Sequence, residues 1–364
     1  MAHPDLQPFL RRLATAAGIA SIPLLGALAE EVTQKTVCAP LDDTGGACPS
    51  PVDALMAFQD PDGWGSSAPD CAVTAVLADA ARVGADCCYT VQVECPTVDP
   101  EYPYETLGVT GCMGRPFLAE GEAVVATLLS RPLRPGGVGP DLSGLDLDDR
   151  HRLAQFWIGV ALAEHASVAE FHRVCLELLR HGAPTALLAR AHAAIVDETR
   201  HARRCFALAS AFAARTLEPG PVPLPSRVAL ADDLAGLAHV TARDGCVAET
   251  CSAWLYGRLL VRATDPAVRQ VIAGVVRDET RHAELAWATL RWALATGGPA
   301  AREAAQAALA HPPPTAPDRG EADVARLAAF GWAPASRQNA ATEEAWRRVV
   351  LPMGTAVLCA LGST

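Results

Sequence analysis

Asp197-Glu198-Thr199-Arg200-His201-Ala202 and Asp278-Glu279-Thr280-Arg281-His282-Ala283 spell the same hexapeptide, DETRHA, twice in one chain. Each copy lies in a long stretch of helical periodicity. Residues three apart on a helix share nearly one face. Glu198 with His201, and Glu279 with His282, can therefore reach a common ion. A lone Glu precedes each copy: Glu164 stands 34 residues before Glu198, and Glu249 stands 30 before Glu279. These carboxylates fall inside apolar stripes. Glu164 sits among Leu153, Trp157, Val160, Phe171 and Leu178, Glu249 among Leu237, Ala253, Tyr256 and Leu260, and Glu279 among Val271, Ile272, Val275 and Leu285. An unpaired buried carboxylate costs several kcal/mol. Four at one level of a core call for cations, and two divalent ions offset four negative charges.

One Glu from each of two helices, with Glu-x-x-His from each of two others, is the ligand set of four-helix di-iron and di-manganese bundles. The chain thus resembles the ferritin-like superfamily over residues 147–296, less than half its length. Its D-E-x-R-H form is similar to that of bacterial multicomponent monooxygenases. It is less close to ferritins, rubrerythrins and the radical-generating subunit of ribonucleotide reductase. The resemblance implies a mainly α fold, a four-helix bundle with a long crossover. It implies metal ligation by Glu164, Glu198, His201, Glu249, Glu279 and His282, the metal being two iron ions or alternatively manganese. It makes Glu198 and Glu279 bridging ligands, and Glu164 with His201 and Glu249 with His282 terminal ones. Asp197 and Asp278 are then acceptors that each orient a ligating imidazole. Arg200 and Arg281 hold those Asp residues or are simply exposed. His165 adjoins Glu164 but points about 100° away on a helix, which leaves it a supporting position beside the ligands. Cys246 and Tyr256, one turn before and two turns after Glu249, read as core residues before redox groups. Gly245 thins the helix wall near Glu249, for a channel or for close packing.

A net charge of −11 and a pI near 5.4 argue against a nucleic-acid surface. Lys35 is the single lysine, so almost all positive charge is Arg. Residues 1–29 read as an export signal: Arg11 and Arg12, an uncharged run Leu13 to Ala29, and Ala27-Leu28-Ala29 as a small-x-small site. The alternative is an amphipathic first helix of a cytoplasmic protein. No later apolar run is long enough to span a bilayer.

Residues 30–140 carry seven of the 12 cysteines, Cys38, Cys48, Cys71, Cys87, Cys88, Cys95 and Cys112, amid frequent Pro, Gly and Asp. This composition predicts an irregular region stapled by disulfides, which persist in oxidising compartments. Helical periodicity is confined to about 73–83. Adjacent Cys87 and Cys88 should have different partners. Cys87-Cys88-Tyr89, with Gly114-Arg115-Pro116 further on, resembles the N-terminal part of secreted ferritin-like-domain proteins. Residues 133–145 read as a linker.

The expected helices run from Asp146 or Asp148 to about Arg180, from Pro184 to about Arg215, from about Leu230 to Ala263, and from a cap at Thr264-Asp265-Pro266 to a stop at Gly297-Gly298. The four prolines within 216–225 make an extended crossover between the second and third. The helical domain thus spans 146–298. Residues 299–364 form a Pro-rich link and two peripheral helices, about 321–330 and 341–360. The expected activity is oxidation of a small organic substrate by O2 or H2O2 with an external electron donor. The alternatives are a ferroxidase or peroxide scavenger acting on Fe(II), or an exported metal-binding domain without catalysis. No dinucleotide fingerprint or rubredoxin-like Cys pair supplies electrons from within the chain.

Overall fold

A computed structural model describes residues 33–40, 48, 50, 54, 72–78, 80–83, 86–94, 97–98, 115–119, 121–132, 139–313, 315–317 and 323–360. The expected export signal lies outside these residues, as do Cys71, Cys95, Cys112 and residues 133–138 of the expected linker. The described chain is mainly α-helical, with a few short strands before the helices. No described helix is long and apolar enough to cross a membrane.

The N-terminal part differs from the irregular region expected. β1 (Thr33–Pro40), β2 (Ala72–Val76), β3 (Ala81–Val83) and β4 (Asp86–Glu94) form one antiparallel sheet in which β4 pairs with all three others. Helical periodicity near 73–83 was therefore misleading. The β-branched and aromatic run Tyr89-Thr90-Val91-Gln92-Val93 suits a pleated strand and gives β4 a central place. Cys87 is bonded to Cys48 across 39 residues. Cys88 is bonded elsewhere, as its adjacency to Cys87 required. β5 (Thr97–Val98), β6 (Leu118–Ala119), β7 (Glu122–Ala123) and β8 (Leu128–Pro132) follow. β8 also pairs with β9 (Arg215–Pro219), which opens the crossover, so the N-terminal part is stitched to the helices.

α1 (Leu147–Arg180) is capped by Asp146, whose side chain accepts from the Asp149 amide at 2.8 Å. α2 (Thr185–Ala213) follows Pro184 and ends on Ala214 in the left-handed region, φ 55°. α3 begins at Leu234 rather than near Leu230. It runs as Leu234–Val240, a π-helical stretch Thr241–Val247, and Ala248–Arg262. α4 (Pro266–Leu309) starts as expected. Asp265 accepts from the Val268 amide at 2.9 Å, and Pro fills the first helical position, where no amide is missed. The helical backbone breaks at the expected Gly297-Gly298, and a second helix follows at once. Gly298 takes φ 63°, which favours glycine, and Pro299 starts a further helical run in the same element. α1 lies along α2, and both α2 and α3 pack against α4.

The C-terminal part holds α5 (Ala325–Ala328) and α6, which runs as Ala335–Ala345, a π-helical stretch Trp346–Val350, and Leu351–Ala360. It is tied down by specific bonds. Fully buried Trp157 of α1 donates from Nε1 to the Phe330 carbonyl at 3.1 Å. Arg326 grips Asp149 at 2.8 Å, and the Thr264 and Asp265 amides donate to the Ala329 carbonyl. The core between the helices is continuous from Leu153 to Leu309 and takes in Leu327, Trp332 and Val350 of this segment.

Candidate metal centre

Glu164 of α1, Glu198 and His201 of α2, Glu249 of α3, and Glu279 and His282 of α4 converge in the core, none more than 2% exposed. Two groups here can hold a metal ion. One is Glu164, Glu198, His201 and Glu279; the other is Glu249, Glu279 and His282; within each, one ligand atom per residue lies within 4.8 Å of the others. Glu279 is common to both. Glu198 also reaches the second group, its Oε1 2.9 Å from His282 Nδ1. The helical spacing explains the convergence: each Glu-x-x-His pair projects from a single face, and α2 packs face to face with α4.

The outer sides of the imidazoles are held across the interface. His201 Nε2 lies 3.2 Å from Asp278 Oδ2, and His282 Nε2 lies 3.4 Å from Asp197 Oδ2. Each Asp therefore serves the imidazole of the other hexapeptide. Both arginines of the repeat hold both aspartates. Arg200 pairs with Asp197 and, at 2.7 Å, with Asp278. Arg281 pairs with Asp278 at 2.7 Å and Asp197 at 2.5 Å. Arg277, not anticipated from sequence, adds a contact to Asp278 at 2.8 Å. With Nε2 turned outward, His201 Nδ1 faces Glu164 at 3.1 Å and Glu198 and Glu279 at 3.7 Å. Asp278 is held well below the usual carboxylate range: burial opposes this, but hydrogen bonds with His201, Arg277 and Arg200 outweigh it.

The carboxylates themselves are under-satisfied. Glu198 Oε2 and both oxygens of Glu249 and of Glu279 are buried without a hydrogen-bond partner. Burial, then repulsion from Glu279 and Glu164, pushes the Glu198 carboxyl up to about 7. Burial and the Glu279 charge raise Glu249 well above the carboxylate range. Both imidazoles are raised despite burial: His201 by Asp278 and Glu164, His282 by Asp197 and Glu198. A buried polar atom without a partner costs about 1–3 kcal/mol, more when charged. This donor set, hard carboxylate oxygens with two imidazoles, is one that a divalent cation would complete. The residues fit a metal centre.

The remaining candidates are placed as follows. His165 belongs to neither group; its Nδ1 is buried without a partner, and burial lowers its pKa. Tyr256 is fully buried and donates its hydroxyl to Glu164 Oε1 at 2.6 Å, so it supports a candidate ligand as well as filling core. Its position two turns after Glu249 on the inner stripe was the available signal. Gly245 is explained by Arg115, a residue 5% exposed that the sequence did not single out as part of the site. A Cβ at Gly245 would lie 2.9 Å from Ala286 Cβ and 3.1 Å from Arg115 Nη1. The glycine thus permits close packing, and what it admits is a guanidinium from outside the helices. The π-helical stretch Thr241–Val247 immediately before Glu249 carries no signature in the sequence; such stretches frequently occur at functional sites. Comparison of the chain with protein-family models, curated proteins and solved structures finds no match.

Proposed function

We propose that the chain carries a ferritin-like four-helix bundle, about residues 146–298, that holds two iron ions and oxidises a small organic substrate with O2 or H2O2. Residues 30–140 form its disulfide-stabilised N-terminal region and 299–364 its peripheral helices. Glu164, Glu198, His201 and Glu279 would hold one ion, and Glu249, Glu279 and His282, with Glu198 in reach, the other. The observation that carries this reading is the set of buried, unpartnered oxygens on Glu198, Glu249 and Glu279, facing two imidazoles fixed from behind. A bound iron pair supplies redox change and open positions for the oxidant.

The chain's own residues prepare the site. Asp278 and Asp197 hold the Nε2 side of each imidazole, so that Nδ1 faces the carboxylates. Arg200 and Arg281 lock the two aspartates together, so neither imidazole turns independently of the other. Tyr256 occupies Glu164 Oε1 and leaves Oε2 for the interior. Phe171, its ring 4.9 Å from that of His282, excludes water from that side.

A second reading, ferroxidase, is favoured by the Cys48–Cys87 disulfide. Disulfides mark an oxidising, exported setting, where nicotinamide donors are not expected and Fe(II) supplies its own electrons. Mixing iron(II)-loaded protein with oxygen, without other substrate, separates the two. Repeated oxidation of added Fe(II), with oxygen consumed in proportion, identifies a ferroxidase. Oxidation limited to the bound ions, with further turnover only after an added reductant, identifies the oxidase or oxygenase. Failure to consume oxygen in either case sinks both.

A further inference from the structure

A cavity of about 830 Å3, within the range of small-molecule sites, lies between the N-terminal part and the helices that carry Glu164 and Glu249. Its helical wall includes Glu170 and Arg173 of α1 and Val240, Arg243 and Asp244 of α3; Phe117 lines it from the N-terminal part. Several of its wall charges are paired with each other. Arg173 takes both oxygens of Glu170, at 2.5 and 2.8 Å, and Arg243 takes both of Asp244, at 2.6 and 2.7 Å. The wall offers a ligand apolar surface from Phe117, Leu118, Leu230 and Val240 beside these charged groups. A second, water-sized cleft of about 10 Å3 shares Arg173 and Val240 with the cavity and adds Arg115, Thr241 and Thr289.

Arg115 lines this cleft on the side of Gly245 and Phe171. Its Nη1 fills the place beside Gly245 that any side chain there would take. Its guanidinium stands over Phe171, 5.9 Å from the ring centroid, and the Phe171 ring meets that of His282 at a tilt of 60°. Its Nε lies 3.0 Å from Glu170 Oε1 but makes no hydrogen bond. Glu249, with both oxygens unpartnered, follows Gly245 by one turn. Movement of Arg115 leaves the Glu170 carboxylate paired, because Arg173 also holds it.

We propose that this cavity is the entry site for a small organic molecule, and that Arg115 is the movable barrier between it and the Glu249 half of the centre. The inference rests on the oxidase reading of that centre but is testable without it. Cys246, fully buried and adjacent to Gly245, reports access behind the barrier; Cys205 and Cys251, equally buried, report general loosening.

The probe is methyl methanethiosulfonate, small and neutral, with labelling of each thiol followed by peptide mass spectrometry on the folded chain. Arg115→Ala should label Cys246 at least about tenfold faster, the factor given by ~1.4 kcal/mol in opening free energy. Cys205 and Cys251 should not change, and Arg115→Lys should restore most of the block. Ala229→Trp, an exposed cavity residue enlarged, should slow Cys246 in both the wild-type and Arg115→Ala backgrounds. An unchanged Cys246 rate in Arg115→Ala overturns the barrier. So does a parallel rise at Cys205 and Cys251, which makes the arginine merely structural. No effect of Ala229→Trp overturns the cavity as the route. If the predicted labelling pattern appears in a protein that binds no metal, the route stands and the oxidase reading fails. If two ions bind without that pattern, the route alone fails.

Discussion

The two halves of the centre share a hexapeptide but not a setting. In the first half Glu164 is pinned: Tyr256 donates to one oxygen and His201 lies 3.1 Å from the other. In the second half Glu249 has no hydrogen bond at either oxygen, follows a π-helical stretch, and faces the side from which Arg115 enters. Burial raises Glu249, whereas hydrogen bonding and the His201 charge overcome burial and lower Glu164. A repeated motif thus places the candidate ligands, while the residues packed behind each lone Glu decide how firmly it is held. We read the first half as the rigid side and the second as the adaptable one.

The largest effects should erase the comparison altogether. Glu279 belongs to both groups and Glu198 reaches both imidazoles. Glu279→Ala or Glu198→Ala should abolish dinuclear binding, read as loss of both ions by elemental analysis. Retention of two ions in either variant would remove the shared position assigned to that residue.

Truncating a lone Glu should separate the halves. Glu164→Ala and Glu249→Ala should each lose chiefly one ion and keep the other. Isothermal titration would show a single remaining site in both. Simultaneous loss of both ions in these variants, with retention in Glu198→Ala and Glu279→Ala, would reverse the bridging and terminal assignments.

Smaller losses should follow from the aspartates behind the imidazoles. Asp197→Ala and Asp278→Ala should keep both ions and cost roughly 10–100-fold in affinity, as losses of ligand-orienting residues do. Asp278→Ala should be the worse, because Arg277 and Arg200 converge there with His201. Equal losses, measured by competition with a chelator, would mean that Arg277 contributes nothing.

The smallest effect tests the rigid side alone. Tyr256→Phe removes one hydrogen bond, worth ~1 kcal/mol or about fivefold in affinity. That loss should fall on the Glu164 half and leave the Glu249 half unchanged. A loss confined to the Glu249 half would contradict the asymmetry.

Much of the centre was legible because Glu-x-x-His on a helix is a local geometry. Its facing direction follows from spacing, and the caps at Asp146 and Asp265 are short-range as well. The lone glutamates were legible through their place in apolar stripes. Arg115 was not, since its approach depends on how the chain before α1 folds back onto Ser167 and Glu170. The π-helical stretch, which re-registers α3 ahead of Glu249, is set by tertiary packing. The strands before β8 were hidden by a composition of Pro, Gly and Cys that suggests irregular chain. The break at Gly297-Gly298 was legible, but the helix that follows it was not, because Pro299 suits a first helical turn as well as it suits an end.

The central claim is a dinuclear centre, and metal stoichiometry tests it most directly. Protein loaded with Fe(II) without oxygen, freed of unbound metal and analysed for iron, should hold about two ions per chain, the number this ligand set accommodates. The Glu198→Ala, Glu279→Ala double variant should hold almost none. One ion per chain, or none, in the unaltered protein would contradict the account.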